Sequence, residues 1–185
     1  MSEPSETQLD VLLDALGEAQ RIGMLGPGSL DVAIRRAWVF VDRCPVDAKS
    51  FVDLGTGGGL PGLVVGVGRP DLTGLLVDRR AKRVDLVARL IGRLGLAARL
   101  RAWAGDVADL PVVMTEPWDV ATSRGFGSPA YTASLAAPVV RPGGCLLVSE
   151  PPESTGERWQ TEAVAVAGFR LVDVRDGVAK LLRLD

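Results

Sequence analysis

The chain has 185 residues, 47% hydrophobic and 24% charged, with a net charge of −2 and no histidine. This describes one globular domain that can bury a core, not a disordered segment, and no apolar run reaches the ~18 residues of a membrane helix. Without imidazole, serine–histidine and cysteine–histidine catalysis and histidine-bearing zinc sites are excluded.

The acidic, polar start MSEPSETQ is not a secretory or transit signal. Leu9, Leu12, Leu13, Leu16 and Ile22 then form one stripe of an amphipathic helix over 6–22, with a Ser5–Gln8 capping box and a stop at Gly23. After the turn LGPGS, Ser29 caps a second helix with Ile34, Ala37, Trp38 and Val41 inward, ended by Pro45. From there short apolar runs alternate with helical segments. SFVDL is a strand, 60–68 a short helix, GLLVD a strand, and 80–95 a helix with Val84, Val87, Leu90, Ile91 and Leu94 inward. ARLRAW and WDVATS are strands, Ser128–Pro129 opens a helix, GCLLVSE is a strand, and 157–167 is a helix. FRLVDVRD and VAKLLRLD meet at Gly177 as an antiparallel hairpin. This order predicts an α/β fold: a mainly parallel sheet covered on both faces, with residues 1–45 as a helical extension of a domain over 46–185. Cys44 and Cys145 lie far apart without metal spacing and read as two buried thiols in a reducing, cytoplasmic setting.

The stretch FVDLGTGGGLPG puts five glycines within residues 55–62, at the first strand–helix junction, where such sheets bind ligands. Gly57, Gly59 and Gly62 satisfy G-x-G-x-x-G, and Asp78 closes the next strand, as in a dinucleotide fingerprint. The competing pattern is Asp53, Gly55, Gly57, Gly59, with Thr56 inside the loop. A carboxylate at the strand end repels a pyrophosphate and suits a ligand carrying an ammonium, such as the methionine part of S-adenosylmethionine. Pro61 also lacks the N–H that a phosphate cradle uses. The methyl-donor reading is therefore preferred. Asp78, with Arg79 beside it, is placed for the ribose diol, and Asp106 and Val107 for the adenine amino group and ring. Asp106 equally suits a cap on the following turn.

These residues resemble a known family, the small-subunit ribosomal RNA guanine-N7 methyltransferases, also called glucose-inhibited division protein B. VDLGTGGGLPG, LLVDRRAKRVDLVARLIGRLGL, WDVATSRGF and PVVRPGGCLLVSE are similar to its successive motifs over roughly residues 50–150. The resemblance implies a seven-stranded, Rossmann-like class I methyltransferase sheet with S-adenosylmethionine as cofactor. It also implies cofactor contacts at Gly55, Leu60, Val107, Ala108 and Arg124. The chain differs from the pattern in having Asp106 where an Arg is usual, and SEPPE where a Lys-Gly pair commonly follows the fifth strand.

Transfer to guanine N7 suits a chain without histidine, because N7 has a lone pair and no proton to remove. Arg124, on a glycine-flanked loop at the strand edge, is exposed enough to bind a carboxylate or phosphate and is the polar side chain expected to be catalytic. Eight basic residues and one acid between Arg79 and Arg101 put Lys82, Arg89 and Arg93 on one helical stripe, placed for the phosphates of ribosomal RNA or for plain solvation. Phe126, Tyr131, Trp103 and Trp118 are candidates for stacking on a target base, with the core the expected place for most of them. The alternatives are a methyltransferase with a small-molecule or protein acceptor, a relative that binds without turnover, and, ranked last, an NAD oxidoreductase. No metal site is expected.

Overall fold

The computed structural model describes residues 2–185. Helix α1 (Glu6–Arg21) opens with the expected capping box: Ser5 Oγ accepts from the Gln8 N–H, and the Gln8 carboxamide oxygen accepts from the Ser5 N–H. Helix α2 (Leu30–Arg43) is capped by Ser29. The alternating region follows as β1 (Ser50–Leu54), α3 (Gly62–Gly68), β2 (Thr73–Asp78), α4 (Ala81–Arg93), β3 (Leu100–Ala104), α5 (Leu110–Val113), β4 (Trp118–Ser123), α6 (Pro129–Ala136), β5 (Val140–Ser149), α7 (Glu162–Val166), β6 (Phe169–Arg175) and β7 (Val178–Arg183).

The strands form one seven-stranded sheet in the order β3-β2-β1-β4-β5-β7-β6. The pairings from β3 through β5 are parallel, and β7 runs antiparallel to both of its neighbours. The β6–β7 hairpin turns on Asp176 and Gly177, both left-handed at φ 50° and 73°, the geometry for which Asp-Gly is favoured.

Alternation along the strands divides the core. Phe51, Leu76 and Val120 face one layer, shared with Leu12, Leu16, Ile34, Val64 and Leu86 of α1 to α4. Val52, Leu54, Val77 and Ala121 face the other, shared with Ala133, Trp159 and Val164. The first two helices therefore bury side chains in the same core as α3 and α4.

The expected helix over 157–167 is broken. A 3-10 turn at Glu157–Trp159 follows left-handed Gly156, and α7 starts afresh from a Thr161 cap. The cause is Glu150, whose buried carboxylate accepts from Trp159 Nε1 at 2.8 Å and Ser154 Oγ at 2.5 Å and pairs with Arg158. This contact pulls the turn onto the end of β5, so Glu150 of SEPPE acts as an anchor of the fold. Three further differences are smaller. Helix α3 begins at Gly62 with Pro61 as its cap residue, β5 reaches back to Val140, and α5 is an added single turn. Both cysteines are free and buried; burial raises the Cys44 thiol to about 12 and the Cys145 thiol to about 11. Among the described residues no helix is long and apolar enough to cross a membrane.

Leu16 of α1 is fully buried and reaches beneath the glycine loop, 3.7 Å from where a Cβ on Gly59 would lie. Leu16→Ala is expected to lower the unfolding free energy by about 2–5 kcal/mol in urea titration. A loss well below about 1 kcal/mol would show that α1 is an appendage, not part of the core.

Candidate active site

Strand order reverses at β1, with β2 on one side and β4 on the other, so a crevice opens beyond the carboxyl ends of these strands. The loop from Gly55 to Pro61 lies in it. Gly55 is left-handed at φ 71°, and a Cβ there would lie 2.6 Å from the Phe126 ring, so only glycine fits.

Four amides of this stretch are already engaged. Thr56 N–H donates to Val77 O, and Gly59 N–H to Thr56 O, both at 2.8 Å. Gly57 N–H donates to Asp78 Oδ2 at 3.0 Å, and Gly62 N–H to Asp53 Oδ2 at 3.1 Å. The G-x-G-x-x-G match is thus not a phosphate cradle: two of its amides point at carboxylates instead.

Asp53 lies beneath the loop, fully buried, and also accepts from Thr122 Oγ1 at 2.7 Å. The expectation that it stands beside a bound ammonium is not met by this geometry, because strand alternation turns its side chain toward α3. Burial raises the Asp53 carboxyl above its usual range, partly offset by its hydrogen bonds and by the charge of Arg124.

Asp78, Arg79, Asp106, Val107, Gly55 and Phe126 line one open cleft. Asp78 is almost fully buried and is held by the N–H groups of Gly57 and Arg80 and by Arg83 at 3.4 Å, which leaves its cleft-facing edge for a ligand. Asp106 caps the turn through Oδ1, which accepts from the Ala108 N–H at 3.0 Å, while Oδ2 lies 3.6 Å from Arg79. Asp106 is therefore a cap that also lines the cleft. Val107 is buried at the cleft wall, whereas exposed Ala108 contributes only its N–H to that cap. Phe126 stacks on Tyr131 with ring centroids 5.7 Å apart, and both line the cleft.

Arg124 and Leu60 line an adjoining cleft against the turn between α1 and α2. Trp103 packs onto Gly105, and Trp118 begins β4 at the opposite end of the sheet, so neither faces the crevice. The basic stripe divides as well. Arg89 pairs with Glu18 at 3.2 Å, and Arg93 with Asp14 and Glu18 at 2.5 and 2.9 Å, joining α4 to α1. Lys82 makes no ion pair among the described residues. Arg83 was legible only as part of a charge run, although its place one turn into α4 returns it over the end of β2.

Ser123 Oγ is buried at the end of β4 with no hydrogen-bond partner among the described residues, and the Thr56 hydroxyl lies beside the Asp53 carboxyl. A buried carboxylate edge at the cleft, with the Gly57 and Gly62 amides turned to carboxylates, suits a group bearing a ribose. It does not suit a pyrophosphate.

The architecture and the crevice together define a Rossmann-like class I methyltransferase fold. Two solved methyltransferases share it: TomG of Streptomyces achromogenes, an O-methyltransferase in complex with SAM (TM-score 0.64, 14% identity, 100% of this chain and 93% of that one), and an O-methyltransferase family protein of Burkholderia thailandensis (TM-score 0.62, 19% identity, 84% and 58%). The family model for rRNA small subunit methyltransferase G matches residues 36–173, and the chain belongs to that family. Relatives carrying that name include those of Clostridium beijerinckii, 32% identical over 69% of this chain and 54% of its own length, and Salinispora arenicola, 32% identical over 77% and 62%. The chain spans between about half and three-fifths of the length of these two curated relatives.

Because the folded-state value of Asp53 is raised, its contribution to stability is full below the unfolded carboxylate value near 4 and is lost as pH rises through the folded value. Asp53→Asn, which imitates the protonated form, is expected to fold and to lose less stability than the parent as pH rises above the unfolded carboxylate value near 4. Equal slopes in denaturant titrations across that range would show that the carboxyl is not raised.

Proposed function

We propose that the chain is an S-adenosylmethionine-dependent methyltransferase acting on N7 of a guanine in small-subunit ribosomal RNA. The observation that carries this reading is the glycine loop whose amides serve Asp53 and Asp78, beside a cleft-facing carboxylate edge. Family membership supports the same acceptor.

In this reading Asp78 accepts from both ribose hydroxyls, the outer oxygen of Asp106 meets the adenine amino group, and Val107 covers the ring. Arg79 shields the open edge. Gly55 keeps the floor low, and the hydroxyl of Ser123 finds a partner on the bound group. The cofactor supplies a methyl already activated on a sulfonium. The protein is left with alignment and the exclusion of water, and alignment alone is worth about 7 kcal/mol or more. No side chain has to take a proton, which agrees with a chain that has no histidine. Arg124 is the cation assigned to the reacting end. Such an acceptor places the activity in the cytoplasm.

Calorimetric titration with S-adenosylmethionine, S-adenosylhomocysteine and NAD tests the cofactor, and label transfer to undermethylated small subunits tests the acceptor. The first two ligands are expected to bind and NAD is not. Asp78→Ala is expected to weaken S-adenosylmethionine binding by about 1–3 kcal/mol, the cost of leaving polar groups unpaired. An unchanged Kd would remove Asp78 from the ribose site.

A further inference from the structure

We infer that the second cleft, between the turn joining α1 to α2 and Arg124, is the slot that takes the acceptor base, with Arg124 donating to O6 of guanine. The inference rests on the methyltransferase reading above.

The slot is about 420 Å³ and lies against the glycine loop. Its walls are apolar, from Leu25, Leu30, Ala33 and Leu60, and no carboxylate lines it. Arg124 is its one cation, exposed and without a hydrogen bond or ion pair among the described residues. The slot is built by a fixed turn. Gln20 Nε2 donates to both Gly26 O, at 2.7 Å, and Gly28 O, at 2.8 Å, and Met24 N–H donates to Ala19 O at 2.8 Å. Leu25 then seats on the loop so closely that a Cβ on Gly58 would lie 2.7 Å from it. At Gly26 and Gly28 the space outside is open, so the rim is low enough for a base carried on a polymer to enter.

The two clefts share one loop. Arg124 faces the slot, while the next two residues, Gly125 and Phe126, line the cofactor cleft. A group in one is therefore the neighbour of a group in the other. A purine has two apolar faces and a polar edge, which matches apolar walls ending in one guanidinium. Arginine is the usual reader of the guanine O6 and N7 edge. Here donation must fall on O6 alone, because the N7 lone pair has to stay free to form the new bond. Adenine presents an amino donor at that position, which a guanidinium, with donors only, cannot accept. The slot thus selects guanine over adenine.

The test uses the whole protein and a small-subunit ribosomal RNA transcript containing 6-thioguanosine, crosslinked by ultraviolet light, with the linked peptides located by mass spectrometry. Crosslinks are expected in peptides containing residues 24–33 or Arg124. Ala33→Phe fills the slot from its wall, and the smaller Ala33→Leu serves if the first variant folds poorly. Both are expected to lose about tenfold or more in crosslink yield and in kcat/KM for small subunits, with the Kd for S-adenosylmethionine within about twofold of the parent. Crosslinks confined to other segments, or full transfer by both variants, would overturn the slot even with cofactor bound. Crosslinks at the slot in a protein that binds no S-adenosylmethionine would support the base site and sink the methyltransferase reading.

Discussion

The rest of the crevice depends on one buried carboxylate. Asp53 is the penultimate residue of β1 at the point where strand order reverses, and its two oxygens reach the first amide of α3 and the hydroxyl of Thr122 on β4. Three elements that diverge from the switch point are thereby tied together under the glycine loop. Gly62 must be glycine for this, since a Cβ there would lie 2.6 Å from Asp53 Oδ2. Burial opposes the charged form, and a carboxyl in such a place persists because each oxygen has a donor. The loop above it is consequently a rigid floor whose height is set from below.

Charge elsewhere is used mostly to join elements. Arg89 and Arg93 hold α4 to α1, and Arg43 of α2 pairs with Asp173 of β6. Arg99 donates to the carbonyls of Gly66, Arg69 and Leu72 and so closes the carbonyl end of α3. A local excess of arginine therefore does not by itself describe an outward field. At the cofactor cleft Arg79 and Arg83 face Asp106 and Asp78, while Arg80, with Lys82 beyond it, makes no ion pair among the described residues. These cations crowd the start of a helix whose first turn has no acid, where the backbone dipole disfavours positive charge.

Much of the fold was legible because it rests on local rules. The Ser5–Gln8 box, the Ser128–Pro129 start and the strands SFVDL and WDVATS are set by capping chemistry and by apolar runs, and the structure reproduces them. The break in 157–167 was not legible, because it depends on Glu150 capturing Trp159 and Arg158 across a loop. The site divides in the same way. Asp78, Asp106 and Val107 follow from position at strand ends. Which way Asp53 points was decided by alternation around Gly62, and the fates of Arg89 and Arg93 by acids about seventy residues earlier in the chain. Contacts of that span leave no mark in a window of neighbouring residues.

The two buried thiols have a consequence of another kind. At neutral pH a thiol raised to about 11 or 12 is almost entirely un-ionised, and the thiolate is the reactive form. Cys44 follows α2 and Cys145 lies in β5, both facing the core layer that α1 to α4 cover. Neither can meet an oxidant or an alkylating reagent while that layer stays closed. The chain therefore carries an internal clock, in which the rate of thiol modification reports how often the helices lift from the sheet, with no probe added.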